Sequence, residues 1–254
     1  MNFQSLYKLN DVVCLTEKKV KANNLYIEVR KNENRVLEDS IVVKLPNINP
    51  SNPHAEEWKL RKITAIRFID YLKSKPQNIS ILDIGCGNGW FTHLMAEVPN
   101  CKNIIGLDIN TFELEQAARV FKKHNLKFIY ADIFKVPSEF NTKFDIITLN
   151  ATIQYFKDFN ETISLLISFL KIHGELHLLD SPFYKKSKLK SAKHRTLNYY
   201  TRLGYPEMAN YYHHHCFDDL VDFEIIYEPK RVTWRRLIGK RKSPFLWAKK
   251  TKWS

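Results

Sequence analysis

From residue 79 onward, short and nearly continuous apolar runs alternate with longer segments in which apolar residues recur every three or four positions. Such runs are typical of buried parallel strands, and the longer segments are typical of the helices that cover them. The predicted strands are residues 79–84, 103–107, 127–130, 144–149, 175–179, 223–227 and 245–249. The predicted helices are residues 90–98, 112–124 and 161–171, with shorter helical pieces within 187–220. This pattern predicts an α/β fold with a doubly wound, mostly parallel seven-stranded sheet whose last two strands pair antiparallel.

The first fifty residues lack this alternation. Residues 25–29 and 41–43 are predicted to be short strands on either side of a polar turn at residues 31–34. Residues 1–50 are therefore expected to form an N-terminal extension that adds a hairpin or a lid.

A helix start follows this extension. Apolar residues recur at helical spacing over residues 54–75, with Asn52 as the predicted N-cap and Pro53 at the first helical position. Residues 51–254 are predicted to form the main domain, in which residues 181–222 are a helical insert after the fifth strand.

Composition narrows the class of protein. Of the 254 residues, 44% are apolar and 26% are charged, which is typical of a globular chain that buries a sizeable core. No run approaches the roughly 18 apolar residues of a membrane span, and the first twenty residues lack a signal-peptide pattern. The four cysteines are scattered, which argues against a zinc site, an iron–sulfur cluster or a disulfide framework. The sequence predicts a cytoplasmic protein without a bound metal.

The net charge of +13 is distributed unevenly, because residues 230–254 contain ten Lys or Arg residues and no acid. A basic chain end can attract nucleic acid, anionic lipid or phosphorylated substrates. Lysines along exposed strands also protect sheet edges from aggregation. Both interpretations of this basic tail are open from the sequence.

A glycine-rich turn is the first candidate binding element. Three of the seven glycines, Gly85, Gly87 and Gly89, lie within five residues, directly after an apolar strand and before a helix. Glycine lets backbone approach a ligand closely, and the helix that begins near Trp90 directs free N–H groups to the same place. Such a turn could hold NAD, FAD or a nucleotide phosphate, or be a tight structural turn.

Acids at successive strand ends separate these possibilities. Asp83 lies in the first strand of the alternating region, Asp108 ends the second, and Asp132 follows the third. In a doubly wound sheet these ends converge on one crevice. Three carboxylates there suit a ligand with hydroxyls, amines and a sulfonium charge, and would repel a pyrophosphate. The glycine spacing also departs from the GxGxxG dinucleotide fingerprint, which argues against a NAD-dependent oxidoreductase. Each acid by itself could instead cap a helix.

In combination these motifs resemble the class I (Rossmann-like) S-adenosylmethionine-dependent methyltransferases. The resemblance covers about residues 79–180 and depends on five segments, namely residues 81–89, 106–109, 131–133, 144–147 and 170–176. It implies S-adenosyl-L-methionine as the cofactor.

For the methionyl part of that cofactor, the resemblance implies four residues. The backbone at Gly85 and Gly87 would pack on it, and Asp83 would help to hold its amino group directly or through water. Asn150, just after the fourth strand, would face the same end.

For the adenosine part, the resemblance implies four more residues. Asp108 would bind both ribose hydroxyls, and Ile109 would pack against the adenine ring. Asp132 would accept a hydrogen bond from the adenine amino group, and the N–H of Ile133 would complete that edge.

The methyl acceptor is less well indicated. Methyl transfer is an in-line displacement that depends mainly on alignment, and a base is needed only when the nucleophile carries a proton of high pKa. Residues 150–153 depart from the Asn/Asp-Pro-Pro-Tyr type motif of adenine- and glutamine-directed methyltransferases, which argues against that route. Cys86 is interpreted as a turn residue and not as a nucleophile.

The insert at residues 181–222 contains six tyrosines and four histidines, including the run at 213–215. It could be a cap with its own small core, or a lid that contributes a base. The candidate catalytic residues are Asp180, which could equally cap the next segment, and His213. Adjacent histidines point in different directions, which argues against a metal site.

Six basic residues at the start of the insert, within residues 185–195, could be a solvated helix face or could recognise a phosphate or carboxylate. The predicted acceptor is therefore a small molecule or a glycan- or lipid-linked group, with negative charge as one possibility, methylated on oxygen. The alternative is an RNA-binding methyltransferase or RNA-binding module that uses the basic tail, with Trp234, Trp247 and Trp253 available for stacking. The sequence does not indicate an oligomeric state.

Overall fold

The computed structural model describes residues 7–18, 20–229 and 243–253. Within these residues the chain forms eleven strands. They are β1 (Tyr7–Leu9), β2 (Val12–Cys14), β3 (Ile79–Ile84), β4 (Cys101–Asp108), β5 (Leu126–Tyr130), β6 (Phe144–Asn150), β7 (Leu170–Leu179), β8 (Phe183–Tyr184), β9 (His215–Cys216), β10 (Glu224–Tyr227) and β11 (Trp247–Thr251). The described helices are α1 (Val20–Asn32), α2 (Asp39–Val42), α3 (Ala55–Lys73), α4 (Trp90–Ala96), α5 (Thr111–Val120), α6 (Phe159–Phe169) and α7 (Leu189–Arg202), with several single turns of 3₁₀ helix between them.

In the described part of the chain, nine strands form one sheet in the order β1-β2-β5-β4-β3-β6-β7-β11-β10. The strands from β2 to β7 in this order run parallel, and the two edges are antiparallel. The doubly wound, mostly parallel fold is therefore confirmed, as is the antiparallel pairing of the last two strands. The seven predicted strands are all present, and the short strands β1 and β2 extend the sheet beside β5.

Both faces of the sheet are covered. One apolar cluster packs α3, α4 and α5 on one face, with Phe68, Phe91 and Met95 among its fully buried side chains. The other packs α6 on the opposite face, with Leu166 and Phe144 at its centre. Burial on both faces explains why the central strands are apolar along nearly their whole length.

The predicted strands at residues 25–29 and 41–43 are wrong, because these segments lie in α1 and α2. A short apolar run does not distinguish a strand from one face of a helix. Here Tyr26 and Val29, three residues apart, pack with Tyr200 and Met208 in a third apolar cluster, and this contact requires helical spacing.

The start of α3 also differs slightly from the prediction. Its N-cap is His54 and not Asn52, because the Asn52-Pro53 pair forms a turn in which Asn52 Oδ1 accepts the His54 N–H at 2.9 Å. Among the helices of the described ranges, none is long and apolar enough to cross a membrane.

Candidate active site

A cavity of about 350 Å³ lies where β3, β4, β5 and β6 end. The structure brings all eight sequence-predicted cofactor residues into its lining. These are Asp83, Gly85, Gly87, Asp108, Ile109, Asp132, Ile133 and Asn150. Carboxyl ends of parallel strands form such a crevice in open α/β sheets.

The glycine turn after β3 has a backbone that other residues rarely adopt, with positive φ at Gly85, Gly87 and Gly89. A Cβ atom at Gly85 would collide with the methyl group of Thr152, whose Oγ1 would lie only 2.7 Å away. A Cβ atom at Gly89 would lie 2.6 Å from the Phe128 ring. The first glycine therefore allows the turn to contact the loop after β6, and the last allows α4 to pack closely on β5.

Asp83 is almost fully buried beneath this turn. Its two carboxylate oxygens accept hydrogen bonds from the hydroxyls of Thr92 (2.6 Å) and Thr148 (2.7 Å). Burial raises the pKa of Asp83 to about 6 although these two hydrogen bonds oppose the rise. The two threonines fix the carboxylate in the cavity wall, and no motif along the chain would identify them as its partners.

Asp108 fastens the glycine turn to the end of β4. Its Oδ2 accepts the Gly87 N–H at 2.8 Å, and its Oδ1 accepts the Asn110 N–H at 2.8 Å. Burial raises the pKa of Asp108, while these backbone donors favour its ionised form. Asp108 thus shapes the turn as well as lining the cavity.

Asn150 presents an unsatisfied acceptor to the cavity. Its Oδ1 is buried and has no hydrogen-bond partner among the described residues. A buried acceptor in a cavity wall generally requires a ligand or a water molecule. The ammonium group of a bound S-adenosylmethionine is a donor that fits this requirement, so the residues present are compatible with that cofactor.

Apolar side chains flank the opposite end of the cavity, where Ile109 follows β4 and the buried Ile133 follows β5. Asp132 lies between β5 and Ile133, and its Oδ1 accepts the Phe134 N–H at 3.3 Å. Asp132 therefore also serves as the helix cap that was the alternative interpretation of its sequence. The exposed ring of Phe134 completes this part of the lining.

The remaining lining comes from α1 and the loop after it, α3, the loop after β6 and the insert. The N-terminal extension and the insert were both predicted as possible lids, but none of the lining residues that they supply was predicted as a site residue. Most of this lining is aromatic or charged, with Met208 as an apolar member, and it includes Tyr26, Arg30, Arg35, Glu57, Trp58, Arg61, Tyr155, Met208 and Tyr211. Because residues 25–29 were predicted to be a strand, nothing pointed to a helix that aims Tyr26 and Arg30 at the cavity.

Two of these arginines share one carboxylate. Arg61 donates to Glu57 Oε1 from Nε (3.0 Å) and Nη2 (2.8 Å), and Arg35 Nη2 lies 2.7 Å from Glu57 Oε2. Burial favours the neutral form of Glu57, but the two arginines outweigh it and lower its pKa to about 2. Glu113 of α5 shows the opposite behaviour, since burial and the charge of Asp108 raise its pKa to about 7.

Neither predicted catalytic residue is among those that line the cavity. Asp180 is buried behind α3, where Thr64 donates to its Oδ1 at 2.6 Å. His213 donates its backbone N–H to the Gln154 oxygen at 2.6 Å, and burial lowers the pKa of its ring. Their catalytic roles stay predictions.

The other two histidines of the run at 213–215 have structural contacts. His214 Nε2 lies 2.9 Å from Thr196 Oγ1, and His215 Nε2 lies 3.1 Å from the Ile153 oxygen. The rings of His214 and His215 thus have different partners and point in different directions, as adjacent residues do in extended backbone.

Comparison with known proteins gives the family. A family model described as a methyltransferase domain matches residues 75–234, which is more than half of the chain. A malonyl-[acyl-carrier protein] O-methyltransferase of Acetivibrio thermocellus is 34% identical over 119 residues, which cover 46% of this chain and 41% of the relative. The protein of the same name from Priestia megaterium is 30% identical over 131 residues, which cover 49% of this chain and 47% of the relative. The chain thus spans less than half the length of these two curated relatives.

A solved structure shares the fold. Phosphoethanolamine N-methyltransferase 2 of Haemonchus contortus, in complex with phosphomonomethylethanolamine and S-adenosylhomocysteine, matches with a TM-score of 0.57 at 15% identity, over 81% of this chain and 46% of that chain. This likeness concerns the fold alone. The family model, which matches more than half of the chain, and the strand-end carboxylates gathered at one cavity of this fold together show the family. The chain belongs to the class I S-adenosylmethionine-dependent methyltransferases.

Proposed function

We propose that this enzyme methylates an oxygen atom of an anionic acceptor, either a free small molecule or the end group of a larger lipid-, glycan- or protein-linked substrate. The observation that carries the proposal is the presence of three arginines, Arg30, Arg35 and Arg61, in the lining of the cavity that also contains the strand-end carboxylates and the glycine turn. Guanidinium groups with donors that face a cavity favour a negatively charged ligand group.

The cofactor end has a proposed role for each residue. Asp83 and Asn150 would hold the methionyl amino group, with Gly85 and Gly87 against the methionyl chain. Asp108 would bind the ribose hydroxyls. Ile109 would pack against the adenine ring, Asp132 would accept a hydrogen bond from its amino group, and the N–H of Ile133 would complete that edge. The eight proposed cofactor-binding residues are thus Asp83, Gly85, Gly87, Asp108, Ile109, Asp132, Ile133 and Asn150.

When bound, S-adenosylmethionine would supply a methyl group on its sulfonium sulfur for in-line displacement, in which the oxygen–carbon bond would form as the sulfur–carbon bond breaks and leaves its electron pair on sulfur. An acceptor oxygen that is already ionised has no proton to lose, and the enzyme's contribution is then alignment. An anionic acceptor therefore requires no base from Asp180 or His213, both of which lie outside the cavity lining.

The names of the curated relatives support oxygen as the target atom, since both are called O-methyltransferases of a malonyl group on acyl-carrier protein. They match less than half of their own length, so acceptor identity does not transfer with the name. A cytoplasmic setting is proposed with this function, since all four cysteines are buried and free.

The RNA alternative depends mainly on the basic tail, and residues 230–242 of that tail, with Trp234, lie outside the described residues. Within the described residues, Trp247 is buried against Phe68 and Tyr71 and is not available for stacking on a base. Trp253 is exposed. The alternative stays a prediction.

Calorimetry with S-adenosylhomocysteine tests the cofactor site, and transfer of labelled methyl groups from S-adenosylmethionine to a panel of anionic, neutral and cationic acceptors tests the reaction. We expect saturable binding of one ligand per chain. We also expect the label to be found in anionic acceptors, either as methyl esters, which base hydrolyses, or as methyl ethers, which base does not cleave. Absence of S-adenosylhomocysteine binding, or label found only in amines, would overturn the proposal.

A further inference from the structure

Arg30 differs from the other arginines of the cavity in where it comes from. It lies on α1, well before residues 75–234, the part of the chain that the family model matches. It nevertheless lines the cavity together with Tyr26 from the same helix. Any role of Arg30 is therefore a property of this chain's N-terminal extension and is not given by the family match.

The guanidinium group of Arg30 is held on two sides. Its carbon atom lies 4.9 Å from the centre of the Tyr26 ring, and its Nη1 donates to Glu33 Oε2 at 3.2 Å. Glu33 is itself fixed by the hydroxyl group of Tyr199 from α7. Tyr26 in turn packs edge-on against Tyr155 at 5.8 Å. The position of Arg30 is thus set before an acceptor arrives, which reduces the entropy lost on binding.

The three arginines of the cavity are paired to different extents. Arg61 uses both Nε and Nη2 on Glu57, and Arg35 contacts both Glu57 and Glu33. A guanidinium group has five N–H donors in a planar fork. Arg30 contacts Glu33 through one nitrogen of this fork and also has a side-chain hydrogen bond with Tyr26, and the donors that these two contacts leave can take part in binding an anionic group.

Glu113 is the other carboxyl group whose charge acts on Arg30. Burial and the charge of Asp108 raise the pKa of Glu113 to about 7, and both causes favour its neutral form. In the described part of the chain no Glu113 oxygen forms an ion pair with Arg30, whose ion pair is with Glu33.

The placement of Arg30 also bears on amine acceptors. Aromatic faces that line a methyltransferase cavity could hold a cationic amine through cation–π contacts. Here the face of Tyr26 is already covered by the Arg30 guanidinium. A second cation beside it would meet a like charge, whereas a carboxylate would meet an opposite one.

We propose that Arg30 is the specificity-determining residue of the acceptor site and that it binds a carboxylate of the acceptor through the open side of its guanidinium fork. This inference rests on the proposed function, because it concerns the acceptor of the same cavity. It names the residue that would recognise the negative charge of the acceptor, with a carboxylate as the anion that the experiment below tests.

The test compares three probes of one length, hexanoate, hexanamide and hexylamine, titrated into the full-length protein saturated with S-adenosylhomocysteine and followed by ligand-observed NMR. We expect hexanoate to bind at least about tenfold more tightly than the other two, in line with the free energy of a hydrogen-bonded charge pair. Arg30→Gln should remove this preference, and Arg30→Lys, which keeps the charge and loses the fork, should restore it only in part.

Arg67→Gln is the matched control. Arg67 lies on α3 with its guanidinium 4.0 Å from the Tyr227 ring and outside the cavity lining, so its loss removes one positive charge without touching the site. We expect hexanoate affinity within about twofold of the wild type for this variant, and unchanged S-adenosylhomocysteine affinity for all variants.

Equal binding of the three probes to the wild type, or a preference for hexanoate that persists in Arg30→Gln, would overturn the assignment of Arg30. So would tighter binding of hexylamine than of hexanoate. Failure of S-adenosylhomocysteine to bind the wild-type protein would instead overturn the proposed function, and the two failures are therefore distinguishable.

Discussion

Replacement of Asp108 by asparagine tests the link between the end of β4 and the cofactor turn. The aspartate accepts one backbone N–H on each oxygen, from Gly87 and from Asn110, both at 2.8 Å. Asparagine has nearly the same shape but only one acceptor oxygen. Its amide nitrogen would therefore face one of the two backbone N–H groups, donor against donor.

The magnitude follows from this geometry. One hydrogen bond to a charged group is lost, at about 1.5–3 kcal/mol, and the other becomes a weaker neutral bond. If the asparagine Oδ1 keeps the hydrogen bond with the N–H of Asn110, the N-cap residue of α5, then the Gly87 N–H loses its acceptor. The bound cofactor must then order the glycine turn. A loss of that size corresponds to roughly 10- to 150-fold weaker binding of S-adenosylhomocysteine.

The assay is calorimetric titration with S-adenosylhomocysteine, beside denaturant unfolding of the same preparations. Asp145→Asn is the matched control, because Asp145 also accepts a backbone N–H, from Ser80 at 2.8 Å, but at the opposite end of the strands. The control should lose stability and keep its affinity for the ligand. If Asp108→Asn binds within twofold of the wild type, or if both variants lose affinity equally, Asp108 does not organise the cofactor turn.

Two further predictions follow from strained or buried positions. Gly85→Ala combines a positive φ with a collision against Thr152 and should lower the free energy of unfolding by about 2–5 kcal/mol in a urea titration. Gly204→Ala, where φ is also positive but no atom lies within 4 Å of the new Cβ, should lose only about 1–2 kcal/mol, and equal losses would contradict the steric argument. For Asp180, burial raises the pKa to about 6. The carboxyl group therefore binds its proton more tightly in the folded state than in the unfolded state. The stability that results is fully present below about pH 4 and is lost as the pH rises through 6. Asp180→Asn should therefore become more stable relative to the wild type between pH 4 and 7 while methyl transfer is retained. Parallel unfolding curves at every pH would refute this, and loss of methyl transfer together with the acidic limb of the pH–rate profile, the fall in rate below about pH 6, would instead assign Asp180 as the base.

The cofactor end of the cavity could be predicted because its signals are local. Strands buried on both faces are apolar along their length, and an acid at the end of such a run stands out from its neighbours. Asp83, Asp108 and Asp132 each follow this pattern, and the parallel topology brings them together. What the sequence did not show is how each is held. The threonine partners of Asp83 lie on α4 and β6, nine and 65 residues away, and become neighbours only through packing.

The part of the cavity lining that contains Arg30 could not be predicted, because its signals are not local in the sequence. The apolar run at residues 25–29 is too short to distinguish a strand from a helix, and the choice is made by contacts with Tyr200 and Met208, more than 170 residues later in the chain. Only after α1 packs there does Arg30 face Tyr155 and the cavity. The strand-end lining of the cavity is encoded within single strands, whereas the lining proposed here to contact the acceptor is encoded between distant segments, so the second can vary while the first is kept. This arrangement is consistent with a family match that begins at residue 75 and leaves α1 outside it.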